Sequence, residues 1–218
     1  MPAKQKLSGD DRARVWYASY GSNMQRDRFG CYLTGGRPRG SAVTQPGCSD
    51  PAEPLADAPL RIPRQLYFAR RSRSWSYGGV AFLGEAPGMT LGRRYLITIG
   101  QLTDIIRQEC GITDPLMVDY DAAVRNGKED VRRGAWYGRL LHLGDSEGYP
   151  TFTFTSADHH PADVNPPSLP YLLTIVDGLR ETHGYGAAES AAYLAKVPGI
   201  RGVWSEEELR ARLAGEPH

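Results

Sequence analysis

The order of the predicted elements places this chain in the α+β class, as a small mixed β-barrel with surrounding helices rather than an alternating βαβ fold. Two observations carry that reading. Strand-like segments rich in aromatic and apolar residues cluster between Val15 and Thr155, whereas from Ser168 onward the apolar spacing turns helical. A third bounds it: 218 residues suit one core, with terminal additions, better than two domains.

Residues 1–13 are charged and without hydrophobic period, so they read as a mobile tail. Val15 to Tyr20 then suits a buried strand, and Ser22 or Asn23 can cap a short helix running to about Arg28. Residues 36–63, rich in proline and without a usable period, read as a long surface loop or insertion. Strands are predicted over 64–69, 79–83 and 93–98, with a turn at Pro87-Gly88.

Thr98 and Gln101 stand at capping-box spacing before the apolar stripe Leu102, Ile105 and Ile106, and Gly111 can end that helix. Further strands are predicted over 138–143 and over 151–155, where Thr and Phe alternate. Leu172, Ile175, Val176 and Leu179 predict a helix that Gly184 stops. Two more helices follow, over 187–196 and 206–213, the second opened by Ser205 and Glu208. The resulting organisation is a tail (1–13), a domain (14–184) carrying the 36–63 insertion, and a helical extension (185–218) packed on the same domain.

Composition narrows the function. Lys and Arg total 26 against 25 Asp and Glu, so a net charge of +1 supplies no general pull toward nucleic acid or a membrane. The polar N-terminus lacks a secretory apolar core and no run reaches the roughly 20 apolar residues of a membrane span, which makes a soluble cytoplasmic protein the expectation. Cys31, Cys48 and Cys110 are odd in number and lack metal-type pairing, as free thiols would.

The sharpest chemical signal is a carboxylate in the wrong place. Continuing the stripe Leu102, Ile105, Ile106 by one step reaches Glu109, which therefore points with the apolar side chains. Burial disfavours its charged form and raises its pKa toward the range useful for proton transfer. The bland alternative is that Glu109, in the last turn, bends to solvent or pairs with Arg107 or Arg133. A second signal is the break of WYASYGSNM at Gly21. A strand ending in Gly-Ser-Asn before a helix leaves backbone N–H groups aimed at one point, which suits a carboxylate or phosphate, although Ser and Asn are also common caps.

Other candidates are weaker. Asp158, His159, His160 and Asp163 suggest a metal, but adjacent histidines diverge and nothing completes the set, so no metal is expected. Cys110 has no His partner, and no Gly-x-Ser-x-Gly elbow occurs. ARRSRSW (69–75) mixes Arg with an aromatic; near-zero net charge favours a solvated hairpin, or selection of an acidic substrate, over nucleic acid. Asp119, Asp121, Glu129 and Asp130 read as solvated loop.

Together YASYGSNM, GGVAFLGEAPG, the helix ending RQE and PSLPYLLTIVDG resemble, in order from about Val15 to about Gly184, the γ-glutamylcyclotransferase family. YGSN is the most specific of these blocks. The resemblance implies the family's small mixed barrel and conversion of a γ-glutamyl amine or peptide to 5-oxoproline plus free amine, without a cofactor. It further implies that the backbone of Tyr20, Gly21, Ser22, Asn23 and Met24 cradles the substrate, that Glu109 is the catalytic acid/base, and that Tyr171 helps close the pocket. The chain departs from the family where Cys110 separates Glu109 from Gly111. Glutathione, γ-glutamyl dipeptides and γ-glutamylamines share the half these residues would recognise, so the leaving amine stays open, as do a γ-glutamyl deprotection role, a non-catalytic binding role and the oligomeric state.

Overall fold

A computed structural model describes residues 6–39, 43–158 and 163–215. It is a mixed α+β structure. The strands are β1 (Arg14–Ser19), β2 (Ala56–Ile62), β3 (Leu66–Ser72), β4 (Gly78–Leu83), β5 (Thr90–Thr98), β6 (Lys128–Asp130), β7 (Arg139–Ser146) and β8 (Tyr149–Thr155). The helices are α1 (Arg26–Thr34), α2 (Ile99–Cys110), α3 (Tyr120–Asn126), α4 (Leu169–His183), α5 (Ala187–Leu194) and α6 (Glu206–Ala214), with short 3-10 turns at Ser22–Met24 and Arg73–Trp75.

Six strands form one sheet in the order β2-β5-β1-β8-β7-β6, and β3 pairs with β4 as a separate hairpin. The pairing of β1 with β8 is parallel and that with β5 antiparallel, in register from Arg14 opposite Thr98 to Ser19 opposite Arg93. The hairpin is tied to β8 by side chains: the Thr155 hydroxyl accepts from the Leu83 amide at 3.1 Å and donates to the Leu83 carbonyl at 3.0 Å.

β1 is buried on both faces, which explains its nearly continuous apolar run. Val15 and Tyr17 point into one core with Phe29 of α1, Leu102 and Ile105 of α2, and Phe152 of β8. Ala18 and Tyr20 point into the other, made by the hairpin, α4, and Leu194, Leu209 and Leu213 of the last two helices. The end of β1 thus emerges between two packed layers, and the Gly21–Met24 turn begins there.

The capping boxes at Thr98 and Ser205 and the glycine stops at Gly111 and Gly184 are as the sequence predicts. Thr98 and Gln101 form a reciprocal capping box on α2, Ser205 and Glu208 do so on α6, and Gly111 and Gly184 end α2 and α4 in the left-handed conformation.

Four expectations are corrected. Residues 56–62 of the supposed 36–63 loop are strand β2, paired with β5 from Ala56–Leu96 to Ile62–Thr90. As the sheet edge it tolerates Pro59, whose missing N–H removes no ladder bond that a further strand would need. Residues 6–13, read as part of a mobile tail, are docked: the Leu7 and Ser8 amides both donate to the Asp121 carboxylate at 3.1 Å, and the Leu7 side chain is buried. Asp119 and Asp121 belong not to a loop but to α3, where Asp119 is the N-cap accepting from the Ala122 amide at 2.8 Å; Glu129 and Asp130 lie in β6. Finally, α1 starts only at Arg26 and continues to Thr34, and neither Ser22 nor Asn23 caps it.

Helix α4 crosses directly over the Ser22–Met24 turn, and Gly178 permits the approach: a Cβ there would lie 2.5 Å from the Met24 Cβ and 2.8 Å from the Gln25 amide nitrogen. Gly178→Ala must therefore push α4 off the turn. The expected cost is about 1–3 kcal/mol, as for overpacking generally. Urea unfolding should show a lower midpoint at unchanged slope; an unchanged midpoint would show that the two elements separate freely.

Candidate active site

The Gly21–Met24 turn is fixed from its carbonyl end. The Tyr95 hydroxyl donates to the carbonyls of Asn23 at 2.9 Å and Met24 at 3.2 Å, and Arg93 Nη1 donates to Met24 O at 3.1 Å. Arg93 is itself held by Asp57 of β2, at 2.8 Å, and Glu181 of α4, at 2.9 Å. With the Asn23 and Met24 carbonyls tied to β5, Gly21, Ser22 and Asn23 of the turn line a cavity. The Ser22 and Asn23 amides are in the first turn of a helix, where no intrahelical acceptor exists.

That cavity has a volume of about 490 Å³ and is lined by the turn, by Arg28 and Tyr32 of α1, by Glu109 and Cys110 at the end of α2, by Trp75 and Ala81 of the hairpin, and by Tyr137 and Tyr171. It gathers Tyr20, Gly21, Ser22, Asn23, Glu109 and Tyr171, six of the seven positions that the sequence singled out. Met24 is the exception. Its side chain is buried in the core and its amide donates to the Gly21 carbonyl at 3.1 Å, so it offers the cavity no N–H.

Glu109 is half-buried in the final turn of α2. Asn23 Nδ2 donates to its Oε1 at 3.2 Å, and the buried Tyr32 lines the same cavity. Arg107, one of the cations that could have drawn it outward, turns instead to Asp104 and the Thr113 carbonyl. Burial raises the Glu109 pKa above the ordinary carboxylate value, while Tyr32, the charge of Arg28 and Asn23 pull it part of the way back. Burial likewise holds the phenols of Tyr32 and Tyr137 well above their usual range and pushes Tyr171 up to about 12, so near neutrality all three are donors.

Tyr171 joins two layers at the cavity floor. Its hydroxyl accepts from the Ala81 amide at 3.1 Å, and a Cβ on Gly21 would come within 3.2 Å of that oxygen. A side chain at 21 would thus crowd the junction of turn, hairpin and α4. Ser22 does not cap but accepts from Arg28 Nε at 2.9 Å. Tyr20 faces away at its tip, donating to the Phe154 carbonyl at 2.7 Å.

Sequence reasoning missed Arg28 and Tyr32. The buried positions of α1 are Arg28, Phe29, Tyr32 and Leu33, an i, i+1, i+4, i+5 stripe, so Arg28 is a cation on an apolar face. The test that singled out Glu109 would have found it. Cys110 lines the cavity, but burial pushes its thiol to about 11, which leaves little thiolate near neutrality. Among the described residues no three His, Cys, Asp or Glu side chains converge as metal donors; His159 and His160 lie outside those residues. No helix among the described residues is long and apolar enough to cross a membrane.

No protein-family model matches the chain. Among curated proteins it is similar to histone deacetylase 5 of Arabidopsis thaliana, 31% identical over 205 residues, an alignment covering 84% of this chain but 30% of that protein. Among solved structures it is similar to a gamma-glutamyl cyclotransferase (17% identity, TM-score 0.47, covering 93% of this chain and 99% of that one). It is also similar to the uncharacterized protein loc79017 from Homo sapiens (17%, TM-score 0.47, 92% and 98%) and to YkqA from Bacillus subtilis (16%, TM-score 0.44, 94% and 55%).

The raised Glu109 pKa has a consequence for stability whose sign is fixed. The folded state binds this proton more tightly than the unfolded chain, so ionisation penalises folding in a window that opens at the ordinary value of 4.5 and closes at the raised one, above which the penalty is constant. Glu109→Gln, which keeps the shape and removes the charge, should match wild type below that window and melt higher above it. Thermal unfolding across pH 4 to 8 tests this, and a pH-independent difference would contradict it.

Proposed function

We propose that this chain is a γ-glutamyl cyclotransferase that converts a γ-glutamyl amine or peptide to 5-oxoproline and the free amine. One observation carries the reading: a carboxylate with a raised pKa faces a cavity of substrate size, hydrogen-bonded to the Asn that ends a Gly-Ser-Asn turn.

The reaction is an intramolecular aminolysis, so the enzyme need only fold the substrate, move protons and stabilise developing charge. Ionised Glu109 takes a proton from the substrate's α-ammonium. The freed amine attacks the γ-carbonyl carbon, forming the ring C–N bond and an oxyanion. Glu109 passes its proton to the departing nitrogen and takes back the one that the cationic ring nitrogen sheds. Collapse of the oxyanion breaks the old C–N bond, and the released amine takes the last proton, which returns Glu109 to its ionised state. In this reading the backbone amides of the Gly21–Asn23 turn stabilise the α-carboxylate or the oxyanion, and Tyr171 helps close the cavity. The chemistry requires no cofactor.

Mass spectrometry of 5-oxoproline release from glutathione, γ-glutamyl dipeptides and γ-glutamylamines tests the proposal. Wild type should turn over at least one class, and Glu109→Gln should lose about 100-fold or more, the usual worth of a positioned acid/base. Release undiminished in folded Glu109→Gln would remove Glu109 from the chemistry.

A further inference from the structure

Three arginines of low side-chain exposure are not equivalent. Arg93 is held by Asp57 and Glu181, and Arg94 by Glu147. Arg28 is equally buried, at 7% exposed, yet among the described residues no carboxylate lies within ion-pair distance of it. Its Nε rests on the Ser22 hydroxyl and its guanidinium lies 5.0 Å from the centre of the Trp75 ring, while its Nη1 is buried without a hydrogen-bond partner. A guanidinium stays charged at every accessible pH, and a buried charge without a counter-ion is costly.

Asn23 presents a second orphan on the same wall. Its Nδ2 is committed to Glu109, and its Oδ1 is buried with no partner. Arg28 and Asn23, both in the cavity wall, therefore each carry an unpartnered polar atom, one a positive donor and the other a neutral acceptor, with Glu109 beside them. A molecule carrying a carboxylate and an ammonium on one carbon answers both: the carboxylate meets the planar guanidinium, and the ammonium lies between Asn23 Oδ1 and Glu109. Other anions fit less well, because Glu109 repels any further negative charge.

We propose that Arg28 is the receptor for a free α-carboxylate, with Asn23 Oδ1 accepting from the adjacent ammonium, so that the cavity selects ligands ending in an unblocked α-amino acid. This deepens the cyclotransferase reading and rests on it for the γ-glutamyl identity of the ligand, though not for the α-amino-acid end. Arg28 acts here as a specificity residue. Ser22 and Trp75 hold its guanidinium plane, which makes them its positioning residues. Occupation by a carboxylate also neutralises the Arg28 charge, one of the influences that hold the Glu109 pKa down.

The test compares paired ligands differing only in the α-carboxylate. Binding of 5-oxoproline and of its carboxamide is measured by calorimetry, and kcat/KM is measured for γ-glutamylethylamide and its α-carboxamide, with wild type, Arg28→Gln and Arg28→Lys. Wild type should prefer the carboxylate member by tenfold or more in both assays. Arg28→Gln should treat the two members alike, and Arg28→Lys, which keeps the charge but not the fork, should fall between. If Arg28→Gln fails to fold, Arg28→Lys decides: an undiminished preference overturns the proposal, as does an undiminished preference in folded Arg28→Gln. Arg28-dependent binding without turnover of either amide upholds the carboxylate receptor while removing the cyclotransferase reading. Failure of wild type to bind or turn over any of the four compounds overturns both.

Discussion

The site depends on one buried guanidinium that never reaches the cavity. Arg93 projects from β5 between the edge strand β2 and helix α4, bonds a carboxylate from each, and donates from Nη1 to the Met24 carbonyl as well. Three elements distant in sequence are thereby registered on one point, and the Gly21–Met24 turn is that point. Tyr95, two residues further along the same face of β5, grips the turn beside it. Such a cluster is a weak source of net stability because desolvation offsets much of its Coulomb attraction, but its geometry is demanding. What it contributes is position: the Asn23 and Met24 carbonyls are held to the sheet, and Gly21, Ser22 and Asn23 line the cavity.

The cavity itself is electrostatically unfinished. Glu109 and Arg28 have opposite charge and feel one another, yet they do not close into an ion pair; Asn23 bonds the carboxylate, and Ser22 bonds the guanidinium. A paired arrangement would be more stable and chemically inert. Keeping the two apart leaves a base of raised proton affinity and a free cation in one enclosed space, the kind of local instability that functional sites carry and the surrounding fold compensates. The ring of protonated tyrosines adds donors without adding charge.

Legibility followed the range of the forces involved. Capping boxes at Thr98 and Ser205 and the glycine stops at Gly111 and Gly184 were readable because each is settled within a few residues. Strand β2 was not, since an edge strand with Pro59 has little local propensity and exists because β5 offers it a ladder. The docked segment around Leu7 was invisible for the same reason: its partner, Asp121, is 114 residues away. Helix α3 was hidden because Asp119 and Asp121 looked like solvated charge, whereas one is a cap and the other receives two amides.

By itself the sequence determined which side chains are out of place: a glutamate continuing an apolar stripe, and a strand broken by Gly-Ser-Asn. These are properties of single helices and single turns, fixed by backbone period and the needs of unpaired amides. Only the tertiary structure decided that the two meet, although Asn23 and Glu109 are 86 positions apart, and that Arg28 and Tyr32 stand beside them. No local propensity encodes such a meeting. It comes from the packing of α1 and the end of α2 around the terminus of β1, and from the Arg93 cluster that sets where the turn faces.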